Sequence, residues 1–141
     1  MTLLSLLIWM LGGLAGSMLF FALVVAPTVF AVLPAEQAGP LLRALFPRYY
    51  LWGLFAALLT TLLALWTDAG GLVISASATV TVLFVFARQN LLPAINRARQ
   101  RQLDGDDAAA VRFRRLHAAS LIINLAQLLL LATATVWLLR L

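Results

Sequence analysis

Four long stretches of this chain contain no charged side chain, and each is about as long as one membrane crossing. The hydrocarbon core of a bilayer is about 30 Å thick and needs roughly 20 apolar residues in a helix to cross it. The charge-free windows lie between Met1 and Ala35, between Arg48 and Asp68, between Asp68 and Arg88, and between His117 and Arg140. They predict four transmembrane helices, called spans here, at about 2–26, 49–67, 70–91 and 117–139.

The first window is longer than a single crossing. We place the end of span one before Pro27, because proline interrupts the hydrogen bonds of a helix. The window also differs from a signal peptide, since it has no basic n-region and its apolar run is too long. We therefore expect span one to be retained.

The composition favours a membrane bundle over other architectures. Hydrophobic residues make up 64% of the chain and charged residues 11%, which is too much apolar surface for a soluble core of this length. Amphipathic soluble helices would show a polar face at every turn, and barrel strands would alternate apolar and polar residues. The four windows do neither. The expected fold is all-α, a four-transmembrane-helix bundle forming a single domain over residues 1–141.

The arginines predict the orientation of the bundle. Arg43 and Arg48 lie between spans one and two, and seven arginines from Arg88 to Arg115 lie at or between spans three and four. The positive-inside rule places both of these connections in the cytoplasm. Both termini and the turn at 68–71 then face outward. All ten basic residues are arginine, which we interpret as a bacterial composition bias. We therefore expect a multi-pass inner-membrane protein with periplasmic termini.

Both cytoplasmic connections are predicted to be helical. Pro34 to Gln37 is typical of a helix start, and the apolar face that follows predicts a short surface helix ending near Pro47. A basic helix over 93–102, a turn with an N-cap at Asp106 and a new helix from Ala108 predict a cytoplasmic helical hairpin between spans three and four.

Polar residues inside a membrane need partners, so those of span four are candidates for function. His117, Ser120, Asn124 and Gln127 are spaced by three, four and three residues, which places them on one stripe of the helix. The stripe could line a cavity or hold a ligand. Interhelical hydrogen bonding within the bundle is the alternative, and it is the more common role.

A second group of candidates lies at the inner rim of the membrane. Arg88 and Asn90 are at the inner end of span three, and Glu36 is the only carboxylate in the first cytoplasmic connection. Glu36 is therefore the candidate ion-pair partner for Arg88. The net charge of +5 flanks membrane spans, so we expect the lipid bilayer rather than nucleic acid as the anionic partner.

Span one contains small residues at the spacing that lets helices approach closely. Gly12 and Gly16 form one such pair, and Gly13 and Ser17 form another, so we expect helix packing through this face. The chain has no cysteine and a single histidine, which makes a poor metal or haem site. We expect neither a metal nor a cofactor.

Several short runs along the chain resemble a known family. They are Ala26–Phe30, Ala38-Gly39, Leu45–Tyr50, Asn90–Pro93, Phe113–Ser120 and Asn124. In this order and spacing they resemble the transmembrane-protein-205-like family, a domain of unknown function whose eukaryotic members are associated with cisplatin resistance. The resemblance implies a four-span bundle and no agreed reaction. The motif positions it covers are Pro27, Phe30, Gly39, Phe46, Tyr49, Asn90, Pro93, His117, Ser120 and Asn124.

Three functional hypotheses fit these features. The leading one is a small transport, efflux or resistance-related protein that acts on a small molecule or ion as a homo-oligomer. The second is a membrane scaffold or accessory subunit that docks a partner through its hairpin, and the third is a haem- or quinone-handling subunit suggested by His117 alone. The sequence contains no GxSxG, Walker or HExxH motif, so we do not expect an enzyme.

The predicted orientation can be tested with topology reporters. A fusion at Leu141 should report a periplasmic location and a fusion at Gly105 a cytoplasmic one, because the arginine-rich connections stay inside. Alkaline phosphatase and a fluorescent protein would serve as the paired reporters. The reverse pattern would overturn the orientation.

Overall fold

The computed structural model describes residues 2–140, which form helices joined by short turns. The elements are α1 (Leu3–Phe20), α2 (Ala26–Val32), α3 (Ala35–Trp66), α4 (Gly71–Phe86), α5 (Leu92–Leu103) and α6 (Asp107–Leu138). A π-helical turn over Phe21–Val25 joins α1 to α2, and a second over Ala87–Leu91 joins α4 to α5. The described residues therefore contain four continuous helices long and apolar enough to span a membrane. The prediction of an all-α fold is confirmed.

Each continuous helix is longer than the membrane requires. The four helices contain 30, 32, 33 and 32 residues. At 1.5 Å per residue they are about 45 to 50 Å long, against a hydrocarbon core of about 30 Å. In the predicted orientation, most of the excess in the last three helices projects from the cytoplasmic side. The cytoplasmic parts are thus rigid extensions of the spans.

The helix predicted to end before Pro27 continues to Val32, so that prediction is wrong. Proline is tolerated at the first turn of a helix, where its missing N–H has no intrahelical acceptor to lose. Here Pro27 lies in the first turn of α2, directly after the π-helical turn. The wider π-helical turn therefore allows the helix to continue past the proline. How much of this helix lies in the membrane stays a prediction.

The first cytoplasmic connection begins as predicted but does not end as predicted. Helix α3 starts at Ala35 with Glu36 in its first turn. It does not stop near Pro47, because Pro40 and Pro47 both lie inside one uninterrupted helix. Near the second proline, Nη1 of Arg48 donates a hydrogen bond to the carbonyl oxygen of Ala44 at 2.6 Å. The surface helix and span two are therefore one element.

The two remaining turns agree with the sequence. The outer turn between α3 and α4 includes Asp68 and Gly70, which adopt φ values of 47° and 89°. The hairpin turn between α5 and α6 includes Gly105 at φ 93°. Asp106 is the N-cap of α6, and its Oδ1 accepts the backbone N–H of Ala109 at 3.2 Å. The predicted helical hairpin and its cap are confirmed.

The four long helices enclose a single apolar core. Helix α1 packs against α3 and α6, and α4 packs against the same two helices, which closes the bundle. The core side chains of α1 are spaced by four, three and four residues, namely Leu7, Leu11, Leu14 and Met18. They meet Val73, Val80 and Phe84 of α4 and Leu131, Ala134 and Leu138 of α6. Helix α5 lies outside this core and packs along the start of α6.

The closest approach in the bundle is between α3 and α4. Phe84 is fully buried, and its ring occupies the space where a Cβ atom on Gly53 would be. Only glycine at position 53 allows the aromatic ring to lie against the backbone of α3.

A methyl group at this position should strain the bundle. We expect Gly53→Ala to lower the free energy of unfolding by about 1 to 3 kcal/mol, the usual cost of overpacking a core. Gly39→Ala is the control in the same helix, because no heavy atom outside its own backbone neighbourhood lies within 4 Å of the added Cβ position. It should be neutral or stabilising by up to about 1 kcal/mol through helix propensity. Thermal unfolding in detergent would compare the two, and equal melting temperatures would contradict the assigned contact.

Candidate functional site

The half of the predicted polar stripe next to the hairpin, His117 and Ser120, makes no interhelical hydrogen bond in the described residues. His117 is exposed, and its ring lies parallel to the ring of Phe113, with centroids 6.0 Å apart and an interplanar angle of 9°. Ser120 is half-buried, and its Oγ donates to the carbonyl oxygen of His117 at 2.7 Å. Ser120 is therefore hydrogen-bonded within α6, and the His117 side chain is exposed. The geometry gives no support to His117 as a haem ligand inside the bundle.

The deeper half of the stripe connects α6 to two other helices. Gln127 is 2% exposed, and its Nε2 donates to the backbone carbonyl oxygen of Val80 on α4 at 3.4 Å. Asn124 is half-buried, and its Oδ1 accepts the hydroxyl of Tyr49 on α3 at 3.4 Å. Both bonds are long, but they give each amide a partner where water is scarce. The observed contacts are those of interhelical hydrogen bonding.

A cluster of aromatic rings lies around Tyr49, the hydrogen-bond partner of Asn124. Tyr49 stacks on Phe21 at 4.3 Å between centroids, and it also contacts Tyr50 at 5.4 Å and Phe84 at 6.4 Å. Phe46 contacts Phe21 at 5.4 Å and Tyr50 at 6.1 Å. Such pairs prefer stacked or edge-to-face geometry and add about 0.5 to 1.5 kcal/mol each beyond their buried area. Through the hydroxyl of Tyr49, this cluster is joined to Asn124 in the deeper half of the stripe.

Sequence reasoning missed this cluster. Aromatic residues at the start of a span are typical of an interfacial belt, and that interpretation of Tyr49 and Tyr50 does not predict a cluster. The signal that could have found the cluster is the spacing of Phe46, Tyr49, Tyr50 and Gly53 along one face of a helix. Phe21 had no such signal, since it lies in the π-helical turn that the sequence did not predict.

The inner-rim candidates are not brought together. Glu36 is exposed in the first turn of α3, whereas Arg88 is half-buried in the second π-helical turn. The Nε atom of Arg88 is buried and has no hydrogen-bond partner within residues 2–140. Asn90 lies in the same π-helical turn and is exposed. An ion pair between Glu36 and Arg88 is not formed in the described part of the chain.

The glycines of span one face outward. Gly12, Gly13 and Gly16 are exposed, and nothing outside their own helix lies within 4 Å of a Cβ atom built on any of them. Ser17 differs, because it is half-buried and its Oγ accepts the indole N–H of Trp52 on α3 at 3.3 Å. The glycine face, defined by Gly12, Gly13 and Gly16, is therefore available to another molecule in the bilayer. Packing of this face stays a prediction.

The largest accumulation of polar groups lies outside the predicted spans, in the hairpin formed by α5 and the start of α6. The guanidinium carbon of Arg99 lies 5.4 Å from the ring centroid of Phe113, whose other neighbour is His117. Nη1 of Arg99 also donates to Oε1 of Gln102 at 2.9 Å. The contact of Arg99 with Phe113 joins α5 to α6, and a pocket of about 320 Å³ opens between the two helices.

These features define a class of protein, an integral membrane helical bundle with a helical hairpin between its third and fourth spans. The family model described as "Domain of unknown function (DUF4149)" matches residues 9–104. That is well over half of the chain, which therefore belongs to this family. The match covers most of span one, spans two and three, and α5, whereas α6 and its polar stripe lie beyond it.

A relative and the solved structures add little about function. The chain is 34% identical over 111 residues to a protein of Aquifex aeolicus (strain VF5) described as "Uncharacterized protein". The aligned part covers 79% of this chain and 77% of that relative. No solved structure matches the chain. A functional proposal must therefore come from the contacts and surfaces described above.

The hydrogen bond between Tyr49 and Asn124 can be tested by a double-mutant cycle. Tyr49→Phe and Asn124→Leu should each lower the free energy of unfolding by about 0.6 to 2 kcal/mol, the range for interhelical hydrogen bonds in membranes. The double variant should lose less than the sum, because both changes remove one shared bond. Ser120→Ala is the control and should change stability by less than about 0.5 kcal/mol. Unfolding in mixed micelles would measure these values, and strictly additive losses would contradict the shared bond.

Proposed function

We propose that this protein is a membrane-embedded accessory or scaffold subunit whose cytoplasmic hairpin contacts a partner protein. The proposal rests on the hydrogen bonds made by the amide side chains of span four. Asn124 and Gln127 bond to α3 and α4, and Tyr49 links Asn124 to the aromatic cluster. The interior of one copy is thus committed to packing, and the accessible polar chemistry lies on the hairpin.

The hairpin has the properties of a docking element. It is continuous with spans three and four, so its position relative to the membrane is fixed by two helices. The cap at Asp106 and the stack of Arg99 on Phe113 stabilise it internally. Two large apolar side chains are exposed on it, Leu103 at 57% and Val111 at 41%. The hairpin also carries six arginines, and arginine is enriched at protein interfaces.

A second candidate is a homo-oligomer with a transport, efflux or resistance role. The open glycine face favours it, because small residues at this spacing let two membrane helices approach closely. The resemblance to the transmembrane-protein-205-like family, with its association with cisplatin resistance, points the same way. Four spanning helices are few for a complete pathway, so this function would use several copies.

Photo-crosslinking in living cells distinguishes the two candidates. A benzoylphenylalanine at position 103 or 111 should give a discrete adduct with a second protein if the hairpin docks a partner. The same residue in place of Trp9, which is 72% exposed on α1, should instead give an adduct of twice the 15.3 kDa chain mass if copies associate. Position 125 is the control, since Leu125 is 57% exposed in the middle of predicted span four. Absence of any protein adduct from positions 103 and 111 would overturn the accessory proposal.

A further inference from the structure

The pocket in the hairpin, called the hairpin pocket here, is built from residues of both its helices. Its volume is about 320 Å³, and its lining includes Arg97 and Arg101 of α5 and Arg112 of α6. Buried Ala98 and Ala109 are also among the lining residues, and their small side chains leave the space between the helices open. The pocket is therefore a consequence of how the hairpin packs, with arginines on both walls.

The charge of the hairpin pocket is unbalanced. Three arginines and one carboxylate, Asp106, line it. Oδ1 of Asp106 already accepts the N–H of Ala109 as the cap of α6, so this carboxylate is partly committed to the backbone. Arg97 and Arg101 are four residues apart on one helix face, where like charges repel each other. An anion between the two walls would relieve that repulsion and accept hydrogen bonds from several guanidinium groups.

Guanidinium groups favour one class of anion in particular. Their planar fork of N–H donors matches two oxygens of a phosphate at once, and such bidentate bonds are among the strongest in proteins. A phosphate group has enough oxygens to accept from arginines on both walls. The space of about 320 Å³ also admits more than a bare ion, so a phosphate attached to a small organic group fits its size.

The distance of the pocket from the predicted inner end of span three suggests a source for such a phosphate. Arg97 lies six residues beyond the predicted inner end of span three, which is about 9 Å along a helix. The headgroup layer on each side of a bilayer is roughly 5 to 8 Å thick. Long arginine side chains that extend back toward the membrane reach this layer. The pocket is thus positioned next to lipid phosphates.

We propose that the hairpin pocket is a phosphate-binding site, occupied by the phosphate of an anionic lipid headgroup. A soluble phosphate ester offers the same chemistry from another source. The inference goes beyond the accessory function and does not depend on it, because it concerns the arginine-lined side of the hairpin and not the exposed Leu103 and Val111. Binding here would hold the hairpin against the membrane surface.

Calorimetric titration of the full chain in non-ionic detergent tests the site. The probes are dioctanoyl phosphatidic acid, dioctanoyl phosphatidylcholine and glycerol 3-phosphate. We expect phosphatidic acid to bind and phosphatidylcholine to bind at least about tenfold more weakly. Binding of phosphatidic acid alone assigns the site to lipid, and comparable binding of glycerol 3-phosphate assigns it to a soluble ester. Absence of binding by every phosphate probe overturns the proposal.

Paired arginine variants show whether the pocket itself is responsible. Arg97→Gln combined with Arg112→Gln should weaken phosphate binding by on the order of tenfold or more, since one arginine is lost from each wall. Arg114→Gln combined with Arg115→Gln is the matched control. It removes the same charge from the same hairpin, and neither residue lines the pocket. The control should change affinity by no more than about twofold.

Each outcome of the variant comparison decides the proposal. A selective loss in the pocket pair supports a defined site. An equal loss in both pairs overturns it, because diffuse positive charge would then explain the binding. Circular dichroism and melting temperature of the ligand-free variants serve as the folding check. If the pocket pair fails to fold, Arg101→Gln alone gives the same comparison against Arg115→Gln.

Discussion

Backbone hydrogen bonding in hydrocarbon is the constraint on which the rest of this structure depends. No water is present there to satisfy an N–H or C=O group, so each crossing must be a helix that satisfies its own backbone. Once formed, these helices continue past the membrane, as α3 does through Pro40 and Pro47. The hairpin of α5 and α6 is a direct extension of two such helices. Those two helices fix where the hairpin begins and ends.

Packing inside the bundle explains where polar groups are found. The close approach at Gly53 lets Phe84 fill the centre between α3 and α4. Around it, the aromatic cluster and the amides of Asn124 and Gln127 connect three helices. These two amides already have hydrogen-bond partners on other helices, so they are not free to bind a ligand. Most of the charged side chains lie instead in the hairpin.

The sequence predicted what local rules determine. Apolar length and charge predicted the four helices, and the Asp-Gly-Asp turn predicted the hairpin and the cap at Asp106. The same rules failed at Pro27 and Pro47, since proline preferences describe isolated helices and not ones supported by neighbours or a π-helical turn. Periodicity placed Asn124 and Gln127 on one face but could not identify their partners on α3 and α4. The hairpin pocket could likewise not be predicted from the sequence, because it forms only when α5 packs against α6.

The central claim is that the span-four amides are enclosed by protein and do not line a hydrated cavity. The chain has no cysteine, so single-cysteine variants can be labelled without background. A membrane-impermeant maleimide applied from the cytoplasmic side should label His117→Cys and the reference Gly105→Cys quickly. Asn124→Cys and Gln127→Cys should stay unlabelled until the protein is unfolded. Labelling of positions 124 and 127 at the rate of position 105 would contradict the account and indicate a water-filled cavity along the stripe.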